Sequence, residues 1–191
     1  LALALAQPMP GESRAVPPLG RPPGGTLFVV GSIAEPSRAA AAVLAAGRGV
    51  RHVAIPANLL RQVVASHLTA EIAETLAGGS DVLVTIAQEE RADLSEGAVI
   101  AAGLARFLAP ASAAFGALFA TGGETARCLL QAFGVTAIRL VGEVEPGMPW
   151  GMTEGAVQCP IVTKAGGFGD AQTLRRCLNH LRDLRRQEND R

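Results

Sequence analysis

Tyrosine is absent from the 191-residue sequence, and aromatic residues of every kind make up 4% of it. A surface that stacks single-stranded bases needs aromatic platforms, so the composition argues against one. Basic charge is not in excess either: 17 Lys+Arg balance 17 Asp+Glu. General nucleic-acid binding draws on a positive surplus. No nucleic-acid partner is expected, and any anion bound is small and held locally. The three cysteines, Cys128, Cys159 and Cys177, form no C-x-x-C pair. An odd, scattered set excludes a closed disulfide framework and argues for a reducing, cytoplasmic setting. His52, His67 and His180 show no H-x-x-x-H spacing, so no metal site is expected. Long hydrophobic runs are missing. Leu1 to Ala6 is apolar but too short to span a bilayer and has no basic residues before it, so neither a membrane segment nor a signal peptide is expected.

Several signatures are missing too. There is no G-x-x-x-x-G-K-[ST], which excludes a P-loop enzyme. Gly31-Ser32-Ile33-Ala34 does not fit G-x-G-x-x-G, which disfavours a dinucleotide fold. No G-x-S-x-G elbow and no protein-kinase set occur.

What is present is alternation. Residues 1–25 hold six prolines (Pro8, Pro10, Pro17, Pro18, Pro22, Pro23) and several glycines, and read as a linker or tail. Residues 26–191 then read as one domain, long enough to bury a core. Thr26 to Val30 is a nearly continuous apolar run, as in a strand buried on both faces. Further strands are expected at 51–55, 81–87, 115–120, 136–144 and 157–163. Pro160 argues for an edge position or bulge in the last. Helices are expected at 38–46, at 58–77 in two pieces with Thr69 as a cap, and at 96–108 capped by Ser95. Two more are expected at 124–133 and 171–186, and Pro146-Gly147-Met148-Pro149 reads as a turn. The predicted fold class is α/β: a layered α/β/α domain with a largely parallel or mixed sheet.

Glycines gather where strands give way to helices. Thr121-Gly122-Gly123-Glu124-Thr125 and Lys164-Ala165-Gly166-Gly167-Phe168-Gly169 are such loops, and Gly31-Ser32 is a third. A glycine turn opening a helix offers N–H groups to phosphate without side-chain obstruction. Thr121, Thr125 and Ser32 can add hydroxyls, and Lys164, the single lysine of the chain, can neutralise phosphate. A tight turn alone would also use such glycines. Glu124 and Asp170 stand at helix starts, where a carboxylate caps the dipole or positions Mg²⁺ through water; capping is favoured for Asp170. Glu143 and Glu145 read as solvated surface, and Cys128 and Cys177 as small core residues.

Four stretches occur in order: Val30-Gly31-Ser32, Thr121 to Thr125, Pro146 to Pro149 and Lys164 to Gly169. Together they resemble the C-terminal nucleotide-binding domain of the four-carbon acid sugar kinases. The resemblance runs from about Thr26 to the last helix. It implies a kinase that uses ATP and Mg²⁺ to phosphorylate threonate- or erythronate-type acids or their 2-oxo derivatives. It also implies a separate acid-binding N-terminal domain, so that the chain by itself is expected to be inactive. The ATP contacts carried over are Ser32, Gly122, Gly123, Glu124, Thr125 and Gly166 or Gly167. Glu124 departs from the aspartate of many relatives. No residue in the chain is a candidate general base. A homodimer is left open. Two other readings stand beside the kinase: a non-catalytic module binding a phosphorylated metabolite, and a sugar-phosphate isomerase-type enzyme.

Overall fold

All five residues of β1 (Thr26–Val30) are buried, as expected of a strand covered on both faces. A computed structural model describes residues 24–61, 67–87 and 96–189. The other strands are β2 (Val50–Ile55), β3 (Asp81–Ile86), β4 (Ala117–Thr121), β5 (Val135–Glu145), β6 (Met148–Gly155) and β7 (Pro160–Lys164). The helices are α1 (Glu35–Ala45), α2 (Ala57–Arg61), α3 (His67–Ala77), α4 (Gly97–Leu108), α5 (Gly123–Ala132) and α6 (Thr173–Asn189). The expected Pro/Gly tail before residue 24, the polar loop at 88–95 and the Ser95 cap lie outside the described residues.

The strands form one sheet in the order β2-β3-β1-β4-β7-β6-β5. The first five pair in parallel; β6 pairs antiparallel with both β7 and β5. Side chains alternate along β1 and so feed two cores. Leu27 and Val29 join Leu60, Ile72, Leu104 and Leu129 of α2, α3, α4 and α5. Phe28 and Val30 join Leu44 of α1 and Leu174, Leu178 and Leu181 of α6. The layered α/β/α class with a mixed sheet is therefore correct.

Three local expectations fail. β6 was not foreseen: the turn at Pro146-Gly147 closes a hairpin, and Met148 opens a strand. β7 is an interior strand between β4 and β6, not an edge. Pro160 is tolerated because it is the first residue of that strand. Thr69 lies inside α3 rather than capping it, and its hydroxyl donates to the Phe107 carbonyl at 3.2 Å.

At the amino ends of the central strands an ion cluster pins α6 to the sheet. The Asp81 carboxylate accepts the Thr26 N–H at 2.6 Å, Arg182 Nε at 2.7 Å and Arg185 at 2.8 Å. The carboxyl ends are left free for other work.

Candidate functional site

The sheet order makes β1, β4 and β7 neighbours, so the three glycine loops that follow them meet. The Gly31 N–H donates to the Thr121 carbonyl at 3.3 Å, and the Gly122 N–H to the Lys164 carbonyl at 3.2 Å. β1 leads into α1 on one face, and β4 into α5 on the other. That divergence opens a crevice at the strand ends, the usual ligand position in such sheets.

The loops touch closely enough to require glycine. A Cβ on Gly31 would lie 2.1 Å from Thr125 Oγ1, and one on Gly166 would lie 2.2 Å from Ser32 Oγ. Gly122 has φ +94° and precedes the first residue of α5. Gly123 and Gly167 differ: a Cβ on either meets nothing within 4 Å, and neither has positive φ. The fold places no demand for glycine on those two.

Lys164 is placed unlike an exposed phosphate-neutralising lysine. It is 4% exposed. Its ammonium donates to Ser37 Oγ at 2.9 Å and to the carbonyls of Ala165 and Gly166 at 3.0 and 3.1 Å. Burial holds its pKa below the usual lysine value, partly offset by the fields of Cys177 and Glu145. Ser37 in turn donates to the Gly166 carbonyl at 2.8 Å. In a trans peptide the N–H points opposite to the C=O, and no described peptide is cis. Turning the Ala165 and Gly166 carbonyls towards the ammonium therefore turns the N–H groups of Gly166 and Gly167 away from it. Among the described residues neither N–H meets an acceptor.

The start of α5 is also unclaimed. No side chain caps it, so the N–H groups of its first turn have no intrahelical partner. Glu124 instead turns to Arg127, which donates to it at 3.0 and 2.6 Å. The bonds from Arg127 hold the Glu124 carboxyl below its ordinary pKa. Thr125 is buried against Gly31. Ser32 Oγ accepts the Ala34 N–H at 3.2 Å beside Gly166. The crevice thus carries outward-facing N–H groups from two loops, with a hydroxyl between them, and that is chemistry for an anion.

The Pro146-Gly147 turn braces this arrangement. Gly147 has φ +80°, and a Cβ there would lie 2.8 Å from the Phe168 ring. Glu145 is not plain solvated surface as expected. It accepts Thr173 Oγ1 at 2.9 Å and pairs with Arg176; the bond from Arg176 is the first cause of its lowered pKa. Arg176 also binds Asp170, whose carboxylate accepts the Gln172 N–H at 2.8 Å in the turn before α6. Cys128 and Cys177 are buried in the two cores, as expected; burial pushes the Cys177 thiol up to about 12.

Ser37 was not a sequence candidate. Its one signal is a hydroxyl in the first turn after a glycine loop. A cavity of about 730 Å³ was equally unforeseen. It opens beside the crevice over the ends of β1, β3 and β2, and it shares Gly31, Ser32 and Thr125 with the loops.

Residues 27–174 match the family described as "Nucleotide-binding C-terminal domain". The chain belongs to that family. The match bears out the resemblance to the nucleotide-binding domain of the four-carbon acid sugar kinases. A D-threonate kinase of Cupriavidus necator is 38% identical over 183 residues, which is 91% of this chain and 44% of that protein. A 3-oxo-tetronate kinase of Pseudomonas savastanoi is 32% identical over 60 residues, 31% of this chain and 14% of that one. A solved domain of unknown function from Bordetella bronchiseptica, a domain-swapped dimer with bound citrate, is 32% identical with TM-score 0.71. That similarity covers 83% of this chain and 41% of the other. The chain thus spans under half the length of these relatives.

Proposed function

We propose that the chain is the ATP-binding part of a kinase that phosphorylates a four-carbon sugar acid of the threonate or erythronate type, or a 2-oxo derivative. The observation that carries this reading is the set of unclaimed N–H groups on Gly166, Gly167 and the first turn of α5, within a nucleotide-binding family. Those groups suit the phosphates of ATP.

Phosphoryl transfer needs positioning and charge neutralisation more than covalent chemistry. In this reading Gly122, Gly123 and Thr125 hold the phosphates from one side and Gly166 and Gly167 from the other. Ser32 stands between them, and Glu124 borders the α5 side. Lys164 fixes the second loop from beneath. Among the described residues no three His, Cys, Asp or Glu side chains gather to hold a metal. Mg²⁺ would therefore arrive with the nucleotide, held largely by phosphate and water, and would offset the phosphate charge. The acid and the base that takes its hydroxyl proton belong to a separate acid-binding domain, joined through the proline-rich stretch before Thr26. The chain alone binds nucleotide and transfers no phosphate. Among the described residues no helix is long and apolar enough to cross a membrane, and the proposed setting is the cytoplasm.

The test is calorimetric titration of Mg·ADP into the wild-type chain and Gly123→Val. The valine projects into open space, so the melting curve stays near wild type while affinity falls more than tenfold. Equal affinity in the two would remove the α5 loop from the site.

A further inference from the structure

The second glycine loop is held at both ends, and one side chain acts on both. Beneath its start lies Lys164, a buried cation whose ammonium bonds, among the described residues, only to neutral oxygens. At its far end the fully buried Thr173 accepts the Asp170 N–H at 2.9 Å. A hydroxyl has one proton to give. That of Thr173 goes to Glu145 at 2.9 Å, closer than Asp170 at 3.5 Å. The oxygen is thereby turned to accept from the loop. The other carboxylate oxygen of Glu145 accepts Arg176 Nε at 2.5 Å, and Arg176 reaches back to Asp170 at 2.9 Å. Glu145, Thr173, Asp170 and Arg176 close a ring between the end of β5 and the start of α6.

We propose that Glu145 is a positioning residue for nucleotide binding: it orients Thr173 to tie down the far end of the second glycine loop, and it supplies the negative charge that balances the buried Lys164 ammonium beneath the near end. The proposal rests on the nucleotide reading above. Two ionisable groups act on the ammonium, Cys177 from α6 and Glu145 from β5. From α1 it meets the neutral Ser37 hydroxyl. Arg176 and Asp170 act in turn on Glu145. The Cys177 thiol, pushed up to about 12, is neutral wherever the lysine is charged, so Glu145 is the anion. In a poorly screened interior a charge is felt beyond contact distance. A buried ammonium deprived of its anion sheds its proton more readily, and a neutral amine turns the Ala165 and Gly166 carbonyls more weakly than a charged one. A residue that merely braced the hairpin would need the Arg176 pair but would leave the charge on Lys164 unaffected.

Lys164 is the single lysine of the chain, so lysine-selective ¹³C labelling gives one Cε resonance that reads this ammonium directly. The experiment follows that resonance from neutral pH to 10.5, the ordinary lysine value, in wild type and Glu145→Gln, and titrates Mg·ADP into both at neutral pH. Glutamine keeps the shape and an acceptor for Thr173 but loses the charge. The Glu145 field raises the Lys164 pKa, so in Glu145→Gln the midpoint moves to lower pH. Mg·ADP weakens roughly two- to tenfold, the scale of one net hydrogen bond. Weaker ADP with an unmoved midpoint reduces Glu145 to a brace and overturns the proposal, as does a moved midpoint with unchanged ADP affinity; either leaves the nucleotide reading standing. A wild type that binds no ADP overturns that reading and this one with it. Thermal unfolding checks that the variant is folded. If it is not, Thr173→Val, which removes only the hydroxyl, carries the test: ADP weakens by the same order while the lysine midpoint stays, and unchanged ADP affinity overturns the proposal.

Discussion

Replacing Lys164 by methionine tests whether this lysine acts through the loop rather than on the ligand. The ammonium is 4% exposed and serves three oxygens at 2.9 to 3.1 Å. Methionine fills similar space and donates nothing. The Gly166 carbonyl keeps the Ser37 hydroxyl at 2.8 Å, and the Ala165 carbonyl keeps the Phe168 N–H at 3.2 Å. Neither carbonyl is stranded, and the cost of burying a charge disappears. The net loss of stability is therefore about 0.5–1.5 kcal/mol, the range for a hydrogen bond lost without stranding its partner.

The loss in binding is larger relative to its cause. Without the ammonium, nothing else of full charge among the described residues bonds to the two carbonyls, and the N–H groups of Gly166 and Gly167 are no longer held outward. A hydrogen bond to a charged group contributes about 1.5–3 kcal/mol. Losing the equivalent of one such bond weakens Mg·ADP roughly ten- to hundredfold. Calorimetric titration reads this directly. Ser37→Ala separates the two roles, because Ser37 is fully buried beneath the loop and, among the described residues, its hydroxyl bonds only to Lys164, Thr121 and Gly166. It weakens ADP in the same direction by about 1 kcal/mol. Wild-type affinity in both variants, measured on folded protein, would refute the peptide-plane reasoning.

Two predictions concern the scaffold. Asp81→Asn lowers stability by roughly 3 kcal/mol, the lower end for a broken buried ion pair, because Arg182 and Arg185 keep some contact with water. Burial alone would raise the Asp81 pKa, but the Thr26 N–H, Arg182 and Arg185 hold it below 3.8. A lowered carboxylate pKa stabilises fully above the unfolded value and is lost as pH falls through the folded one. The urea midpoint of wild type therefore falls as pH drops below 3.8, and that of the variant falls less. Gly103→Ala destabilises by about 1–3 kcal/mol, since its Cβ would lie 1.9 Å from the Leu60 carbonyl and force α4 from α2; a thermal melt unchanged from wild type would contradict that close approach.

Strand-to-helix alternation was legible because β1, β3 and β4 are short apolar runs ending at glycine or a polar loop. β6 was not. Its residues Met148–Gly155 include Pro149, Gly151 and Gly155 and show no alternation. Two antiparallel neighbours define it, and its register with β5 shifts three times. A Cβ on Gly151 would lie 2.3 Å from the Arg139 carbonyl, a constraint visible only once the hairpin is closed. The glycine loops were legible as a group because each follows a strand. Lys164 was legible as a charge, but its direction depends on how the next two peptides turn back over it. The cavity was invisible because α1, α4 and three strands each contribute a small share of its wall.

The glycines themselves separate what the fold requires from what a ligand requires. Gly31 and Gly166 are needed because another loop lies against them, and Gly122 because its φ is positive. Any protein with these three strand ends so close would use glycine at those positions, so they say little about binding. Gly123 and Gly167 meet no neighbour and adopt ordinary φ. Glycine loses more backbone freedom on folding than any other residue, and Gly123 is the first residue of α5. Nothing within the described chain offsets that cost. A ligand approaching the backbone would, because its phosphate oxygens occupy the space a Cβ would take. The N–H groups of both bare positions meet no acceptor among the described residues. The signal for phosphate therefore lies less in the number of glycines than in the two that folding leaves unexplained.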